Sequence, residues 1–202
     1  MTATRAPGLR ERKKQHTRET IERAALKLFA ERGYDETTLA EIAEAANISP
    51  RTIFGYFPSK EDILFCEESG YIEKVKDALR ERPAGTTTVD ALRDFIASIP
   101  PPDELTLLRK RVVAANPDLQ LKLRAHVGLL EGTLEESFAK DLDAVPGDIR
   151  PGLVAASMMA AVAAVRDRLE AAAGIPDHGE SMKIIDEVLE FVRGGLDAMR
   201  TR

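Results

Sequence analysis

The chain is poor in the residues from which most redox and metal sites are built. Its 202 residues include one cysteine, Cys66, three histidines and no tryptophan. A single cysteine excludes an internal disulfide and a cysteine-based metal site, and it is typical of a reducing compartment. The longest stretch without a charged residue, 151–165, is too short to cross a bilayer as a helix. We therefore expect a cytoplasmic protein that does not enter a membrane.

Sequence signatures of enzymes are missing as well. His16, His126 and His178 are widely separated, and the chain has no G-x-S-x-G, H-E-x-x-H, P-loop or G-x-G-x-x-G pattern. The first residues, MTATRAPGLRERKK, contain no apolar stretch, so we expect no secretion signal. The sequence predicts a protein that is not an enzyme and uses no cofactor or metal. A helical enzyme built from scattered residues is the alternative.

Charge is distributed unevenly along the chain. The net charge is -5, yet residues 1–60 carry 11 Lys/Arg against 8 Asp/Glu and residues 1–18 carry six basic residues against one acid. A basic end on an acidic body indicates a polyanionic partner for that end. A solvated charged tail is the alternative on charge alone.

Apolar spacing and capping residues predict an all-α protein of about nine helices. Ile21, Ala25, Leu28 and Phe29 form one apolar stripe on a helix over about 10–32, and Gly33 is typical of the position just past a helix end. The next helices are predicted over 38–46, 50–57, 59–79, 116–142, 149–173 and 180–200, with others between residues 88 and 115. No alternating strand pattern and no internal repeat occur.

Two of these helices have the pattern of a helix-turn-helix. Thr38 and Glu41 form a capping box for the first helix, and Asn47 tolerates the positive φ that the turn needs. Ser49 and Pro50 then begin a short helix. Its outward face is predicted to carry Arg51, Thr52, Gly55 and Tyr56, and its buried face Ile53, Phe54 and Phe57. Arg near the start of such a helix suits guanine in a major groove.

The stretch 21–64 resembles the DNA-binding domain of the TetR family of bacterial transcriptional regulators, and the similarity covers about residues 10–65. The matching positions are Ala24, Ala25, Leu28, Phe29, Gly33, Tyr34, Thr37, Thr38, Ile42, Ala43, Ala46, Ser49, Thr52, Phe57 and Lys60. The resemblance implies three DNA-binding helices, a connecting helix, and a C-terminal domain for ligand binding and dimerisation. This sequence departs from the family pattern at three positions. Asn47 replaces a usual Gly, Phe54 stands where many members have Tyr, and Gly55 leaves a bare position on the helix.

The resemblance implies a DNA-binding domain over 1–58 and a helical ligand-binding and dimerisation domain over 59–202. Basic residues of the N-terminal arm, the start of the second helix, the recognition helix and the start of the connecting helix are expected to contact DNA. These residues are Arg12, Lys13, Lys14, Thr37, Thr38, Ser49, Pro50, Arg51, Thr52, Gly55, Tyr56 and Lys60.

Beyond residue 65 the sequence itself must indicate the interfaces. The last helix is apolar over more of its circumference than one core requires, and the helix before it is rich in alanine, so we expect a homodimer through these two helices. The predicted interface is Ala156, Ala160, Ala163, Ala164, Ile185, Val188, Leu189, Val192 and Leu196. A monomeric bundle is the alternative. Candidate contacts for an unidentified small ligand are Phe95, His126, Met158 and Met159. For the last three, a place in the core is the alternative.

The function expected from these features is sequence-specific DNA binding by a transcriptional regulator. The resemblance implies a repressor that leaves a palindromic operator when a small-molecule effector binds. A helix-turn-helix activator or DNA-organising protein that needs no ligand is the alternative. A purely structural helical module would leave the arrangement of Arg51, Thr52, Tyr56 and Lys60 without a purpose.

Overall fold

A computed structural model of the chain describes residues 8–171 and 178–200, and over these ranges it consists of helices and turns with no strand. The helices are α1 Leu9–Arg32, α2 Leu39–Ala45, α3 Pro50–Phe54, α4 Lys60–Leu64, α5 Cys66–Arg80, α6 Thr88–Ala97, α7 Glu104–Ala114, α8 Pro117–Gly128, α9 Glu131–Asp141, α10 Arg150–Ala171 and α11 His178–Arg200. The prediction of an all-α fold is confirmed. The predicted linker over 174–179 falls largely outside the described residues. Within them, no helix is both long and apolar enough to cross a membrane.

Two of the helices predicted as continuous are each divided in two. Phe65 departs from helical geometry, with φ −101° and ψ 12°, and separates α4 from α5. Between α8 and α9, the amides of Leu129 and Leu130 bond the carbonyls three residues before them. Such tighter bonds interrupt the i to i−4 pattern of an α-helix. These two breaks account for eleven helices where about nine were expected.

Local capping explains where the short helices begin, and the caps of α2 and α3 were predicted from the sequence. Thr38 and Glu41 form a complete capping box at α2. The Ser49 side chain accepts from the Thr52 amide at α3, and the Ser59 side chain accepts from the Asp62 amide at α4. Each cap satisfies an amide that has no partner inside its helix. Helices as short as α3 and α4 depend on such caps together with packing.

The chain divides into two compact units. The first unit takes in the chain up to Glu67 together with Asp103–Pro117, and the second takes in Glu68–Pro102 and Asp118–Arg202. This division differs from the expected boundary after residue 58 because α4 and α7 both pack against α1. The core of the first unit contains Ile21, Ala25, Leu26, Phe29, Ile42, Ala43, Ile53, Phe57, Ile63 and Leu64.

The second unit has its own core, formed by α5, α6 and α9–α11. Leu189, Val192 and Leu196 of α11 are buried in it, as is Met158 of α10. This corrects the predicted dimer interface, since the first three side chains already pack within their own chain. The burial of Met158 favours a packing role over the predicted ligand contact.

A buried polar cluster joins α6 to α9 in the second unit. The Arg82 guanidinium donates to Asp141 Oδ1 at 2.6 Å, to Thr88 Oγ1 at 3.1 Å and to the Ser137 carbonyl at 3.1 Å. The other Asp141 oxygen accepts from the Thr88 amide at 2.8 Å, and the Thr88 and Ser137 hydroxyls lie 2.9 Å apart. A buried charge is tolerated where it is paired and hydrogen-bonded in this way.

Candidate nucleic-acid interface

Helices α2 and α3 form a helix-turn-helix whose turn depends on Asn47. Asn47 has φ 54°, in the left-handed region that Asn tolerates better than most residues. Its amide bonds the Glu44 carbonyl, and the next amide, from Ile48, bonds the Ala43 carbonyl. Ile42 and Ala43 are buried beneath α3 and α1. The turn therefore fixes the direction in which α3 leaves α2.

Two threonines predicted to contact DNA form hydrogen bonds with other groups of the protein. Thr37 is 1% exposed, and its hydroxyl donates to the Gly33 carbonyl at 2.8 Å. The prediction of a DNA contact by the Thr37 side chain is therefore corrected, because this side chain shapes the turn between α1 and α2. Thr38 is exposed, but its amide and its hydroxyl both donate to Glu41 Oε2 at 2.8 Å. Both donors that could have bound phosphate are occupied by the capping box.

The first residues of helix α3 are exposed, and buried side chains hold the helix to the core of the first unit. Ser49 and Thr52 are exposed and their hydroxyls lie 2.7 Å apart. Ile53 and Phe57 are buried and fix the helix to the core, as predicted. Arg51 is exposed and Tyr56 partly exposed. Neither of these two side chains has a hydrogen-bond or ion-pair partner within 8–171 and 178–200, so both are available to an outside ligand.

Phe54 is the main correction on this helix. It was assigned to the buried face, but it is 58% exposed. At about 100° per residue, three positions amount to a rotation of about 300°, which places Phe54 within about 60° of Arg51. The exposed face of α3 thus combines a guanidinium with an aromatic ring and, next along the chain, the bare Gly55.

Lys60, expected to contact phosphate, also holds the turn before α2. Its Nζ donates to the Tyr34 carbonyl at 2.7 Å and to the Asp35 carbonyl at 3.2 Å. It also lies 4.6 Å from the centre of the Tyr34 ring. An ammonium has three donors, and two are used here. Burial, followed by the charge of Glu61, raises the pKa of the Tyr34 phenol, so this ring is neutral at physiological pH.

The basic residues Arg12, Lys13 and Lys14 lie on the exposed first turns of α1. The Lys13 carbonyl accepts from the Thr17 hydroxyl at 3.0 Å. These three residues are therefore part of the helix that was predicted over about 10–32. Three consecutive cations on a helix point in different directions, about 100° apart.

A chain of charged side chains in the first unit runs from the exposed Glu67 through the buried Arg109 to Glu22 and the partly exposed Arg18. Arg109 of α7 is 3% exposed and forms ion pairs with Glu67 and, at 3.5 Å, with Glu22 Oε2. The other Glu22 oxygen lies 3.5 Å from Arg18 Nε. The Arg18 guanidinium carbon in turn lies 4.2 Å from the centre of the Phe57 ring.

The thiol of Cys66 lies beside this chain, with its sulfur 3.9 Å from an Arg109 nitrogen. Burial, followed by the charge of Glu22, raises the pKa of Cys66 to about 12. The thiol is therefore protonated at physiological pH and a poor nucleophile.

A cleft of about 520 Å³ opens in the first unit between the end of α1, the turn before α2, and α7. Phe29 and Tyr34 line one part of it, and Leu108, Arg111 and Asn116 line another. Asn116 donates to Asp35 in this region at 3.4 Å. Over the described ranges no group of His, Cys, Asp or Glu side chains is suited to a metal ion.

The predicted ligand residues of the second unit have contacts of their own. The Phe95 ring lies 5.3 Å from the Tyr71 ring and packs on the core, as does Met159. His126 Nε2 lies 3.0 Å from the Ser69 hydroxyl. Phe95, Met158 and Met159 thus lie together at the apolar core of this unit.

The exposed faces of the two predicted dimer helices include part of the expected interface and add residues to it. On α10, Ala156, Ala160 and Ala164 are exposed, and Ala163 is half-buried. On α11, Ile185 and Val188 are half-buried, while Phe191 is 65% exposed and precedes two exposed glycines, Gly194 and Gly195. Phe191 and these glycines were missed because an apolar stripe does not by itself show which part of it the chain's own core covers.

The arrangement of α1–α4 defines a helix-turn-helix DNA-binding domain. Residues 21–65 match the family described as bacterial regulatory proteins, tetR family. The match covers the helix-turn-helix region and not the rest of the chain. The HTH-type transcriptional regulator TcmR of Streptomyces glaucescens is 44% identical over 86 residues, which are 43% of this chain and 38% of that protein. The match thus spans less than half of either protein.

Solved structures with similar folds extend over most of the chain. One of them is NalD of Pseudomonas aeruginosa, the secondary repressor of the MexAB-OprM multidrug efflux pump. Its TM-score is 0.64 at 20% sequence identity, and the alignment covers 90% of this chain and 97% of the NalD chain. Another is Thermus thermophilus FadR, a TetR-family repressor in complex with lauroyl-CoA. Its TM-score is 0.55 at 24% sequence identity, and the alignment covers 88% of this chain and 94% of the FadR chain. At these identities the likeness establishes the fold.

Proposed function

We propose that the protein is a sequence-specific DNA-binding transcriptional regulator, and that it acts as a repressor. The observation that carries this proposal is the exposed face of α3, where Arg51, Phe54 and Tyr56 project from a helix that Ile53 and Phe57 hold to the core. A guanidinium and an aromatic ring side by side on one exposed helix face suit a groove with mixed polar and apolar edges.

Each of these side chains has a role that its chemistry allows. Arg51 can donate two hydrogen bonds to guanine O6 and N7, and Phe54 can contact the 5-methyl group of thymine. The third donor of the Lys60 ammonium and the exposed cations of α1 serve as phosphate contacts, which set position rather than sequence. Sequence is read by α3, and affinity comes largely from the cations around it.

The regulator acts as a homodimer through the exposed faces of α10 and α11. Alanines on α10 and glycines on α11 allow two helices to approach closely, and Phe191 supplies apolar area that solvent otherwise covers. Two copies related by a two-fold axis would read a palindrome with half-sites about one helical turn apart, or a multiple of it. A small molecule that prefers one spacing of the two α3 helices would then control operator affinity.

The test is selection of bound sequences from a random duplex pool at near-physiological salt, with wild type and Arg51→Ala in parallel. The expected result is a palindrome for wild type and reduced discrimination at one symmetric pair of positions for the variant, by about 1–3 kcal/mol per contact. Arg124→Ala, an exposed arginine of the second unit, is the matched control and should select the same palindrome as wild type. Binding without enrichment, fading with salt, would contradict the proposal and favour a DNA-organising protein.

A further inference from the structure

We propose that Arg109 is a positioning residue for the recognition helix, acting on α3 through Glu22, Arg18 and Phe57. This inference rests on the proposed function, because it assigns to a buried arginine of α7 a role in how well α3 reads DNA. Arg109 itself is buried and is not suited to touch DNA.

The first step is the sharing of one carboxylate by two arginines. Glu22 offers Oε2 to Arg109 and Oε1 to Arg18, at 3.5 Å each. Glu22 is 15% exposed and Arg109 is 3% exposed, so water screens the attraction between these two less than it would at the surface. Arg18 is 38% exposed, and its pair with Glu22 is more strongly screened. The position of the Glu22 carboxylate therefore depends on both cations, and removing one lets it move toward the other.

The second step is the contact by which Arg18 links the position of the Glu22 carboxylate to the end of α3. Arg18, one turn before Glu22 on α1, places its guanidinium 4.2 Å from the centre of the Phe57 ring. A cation over an aromatic face is attracted to it within about 6 Å. Phe57 is buried, and its amide bonds the Ile53 carbonyl at 2.8 Å. A shift of this ring therefore moves the side of α3 opposite to the reading face.

The third step is the partnering of Arg109 itself. Glu67, in the first turn of α5, is its second acid, so two arginines and two glutamates form a neutral chain of four charges. The buried Arg109 Nε has no hydrogen-bond partner in the parts of the chain that the structure describes. The guanidinium is therefore held by the two acids and by a long contact from one of its nitrogens to the Cys66 sulfur at 3.9 Å, with no bond from Nε. Its orientation therefore responds to both acids.

The experiment measures the dissociation constant on the selected operator at several salt concentrations, together with urea unfolding of each variant. The variants are Arg109→Met, Arg18→Met and the double variant. Lys110→Met is the matched control, since it removes one exposed cation from the same helix. Because loss of a buried cation can prevent folding, Glu22→Gln is a second route that keeps the side-chain volume and removes the shared charge.

We expect Arg109→Met to weaken operator binding about 2- to 30-fold with an unchanged slope of log K against log salt. A phosphate contact would instead reduce that slope by about 0.9. The double variant should bind about as weakly as the weaker single variant, because both substitutions break one chain. Glu22→Gln should bind more weakly than wild type, and Lys110→Met should bind within about twofold of it.

The inference is overturned if folded Arg109→Met and Glu22→Gln bind the operator as tightly as wild type, or if the losses of the two single variants simply add. A changed salt slope for Arg109→Met would also overturn it, since it would indicate a direct effect of charge on DNA. If wild type itself selects no operator, the proposed function has failed. If wild type binds its operator and the variants do not differ from it, the positioning role alone has failed.

Discussion

The two units each bury an arginine, and the two arginines are held differently. Arg82 in the second unit has hydrogen bonds to a carboxylate, a hydroxyl and a carbonyl, all at 3.1 Å or less. Arg109 in the first unit is shared by two acids, and its buried Nε has no partner in the described residues. The hydrogen bonds of Arg82 hold its guanidinium in one orientation. The Arg109 guanidinium can adjust when either acid moves.

The difference between the two arginines indicates that Arg82 contributes to stability and Arg109 to DNA recognition. A saturated cluster such as that of Arg82, Thr88, Ser137 and Asp141 ties two helices of one core together. The chain from Glu67 to Phe57 instead ends against α3, the helix that carries the exposed Arg51 and Phe54. Substitutions of equal size should therefore lower the stability of the second unit but weaken DNA binding by the first.

The largest effect is expected from Arg82→Met. Removing this cation leaves the buried Asp141 carboxylate without its ion pair, which costs about 3–5 kcal/mol of unfolding free energy. Urea unfolding measures that loss. Arg80→Met, which breaks an exposed pair with Asp77, is the control and should change stability by less than about 1 kcal/mol.

The comparison between the units would break if Arg82→Met weakened operator binding. We expect the folded fraction of this variant to bind its operator with the wild-type dissociation constant. A loss of affinity at full folding would mean that the second unit's cluster also sets the position of α3, and the distinction between the two arginines would be wrong.

A smaller effect is expected from removing one methyl group from the DNA. Replacing thymine by deoxyuridine at the position that Phe54 contacts should weaken wild-type binding about fourfold, as expected from about 0.8 kcal/mol for one buried methyl. Phe54→Ala should bind both duplexes equally. Leu129→Ala, which truncates an apolar side chain that is 61% exposed in the second unit, should keep the wild-type preference. Equal binding of both duplexes by wild type, at every thymine of the operator, would contradict this role.

The smallest effect concerns the capping box of α2. The Thr38 amide and hydroxyl, in that order, hold the pKa of Glu41 below its ordinary value of 4.5. A carboxyl with a lowered pKa contributes stability that is present above pH 4.5 and is lost as the pH falls through its pKa in the folded protein. Glu41→Gln should therefore unfold at a lower temperature than wild type at pH 7, and this gap should shrink at lower pH.

Glu44→Gln, an exposed substitution on the same helix, is the control for this titration and should change stability by no more than about 0.5 kcal/mol at pH 7. A Glu41→Gln gap that stays constant below pH 4.5 would show that the carboxylate charge does not stabilise the cap. Differential scanning calorimetry at several pH values distinguishes these outcomes.

Local features of the fold could be predicted from the sequence, whereas side-chain orientation often could not. The caps at Thr38, Ser49 and Ser59 involve partners three residues away, so a short pattern contains the whole interaction. The left-handed Asn47 was predicted for the same reason. Helix breaks at Phe65 and between α8 and α9 have no comparable Gly or Pro signal, so two helices were expected to be longer.

The candidate site was predicted in outline, with errors that have identifiable causes. Phe54 was placed on the wrong face although its angular position lies close to that of Arg51. Leu189, Val192 and Leu196 were assigned to a dimer because an apolar stripe looks the same against its own core and against a partner. Arg109 stands in a run of three basic residues, and its partners are distant in sequence, so no local pattern distinguishes it from its neighbours.

The central claim is that the first unit reads a specific DNA sequence through α3, and competition binding tests it most directly. Wild-type protein would be titrated onto the selected palindrome and onto a scrambled duplex of the same length and composition, at near-physiological salt. The account predicts that the palindrome binds at least about 1,000-fold more tightly than the scrambled duplex. Equal affinities, falling together as salt is raised, would contradict it.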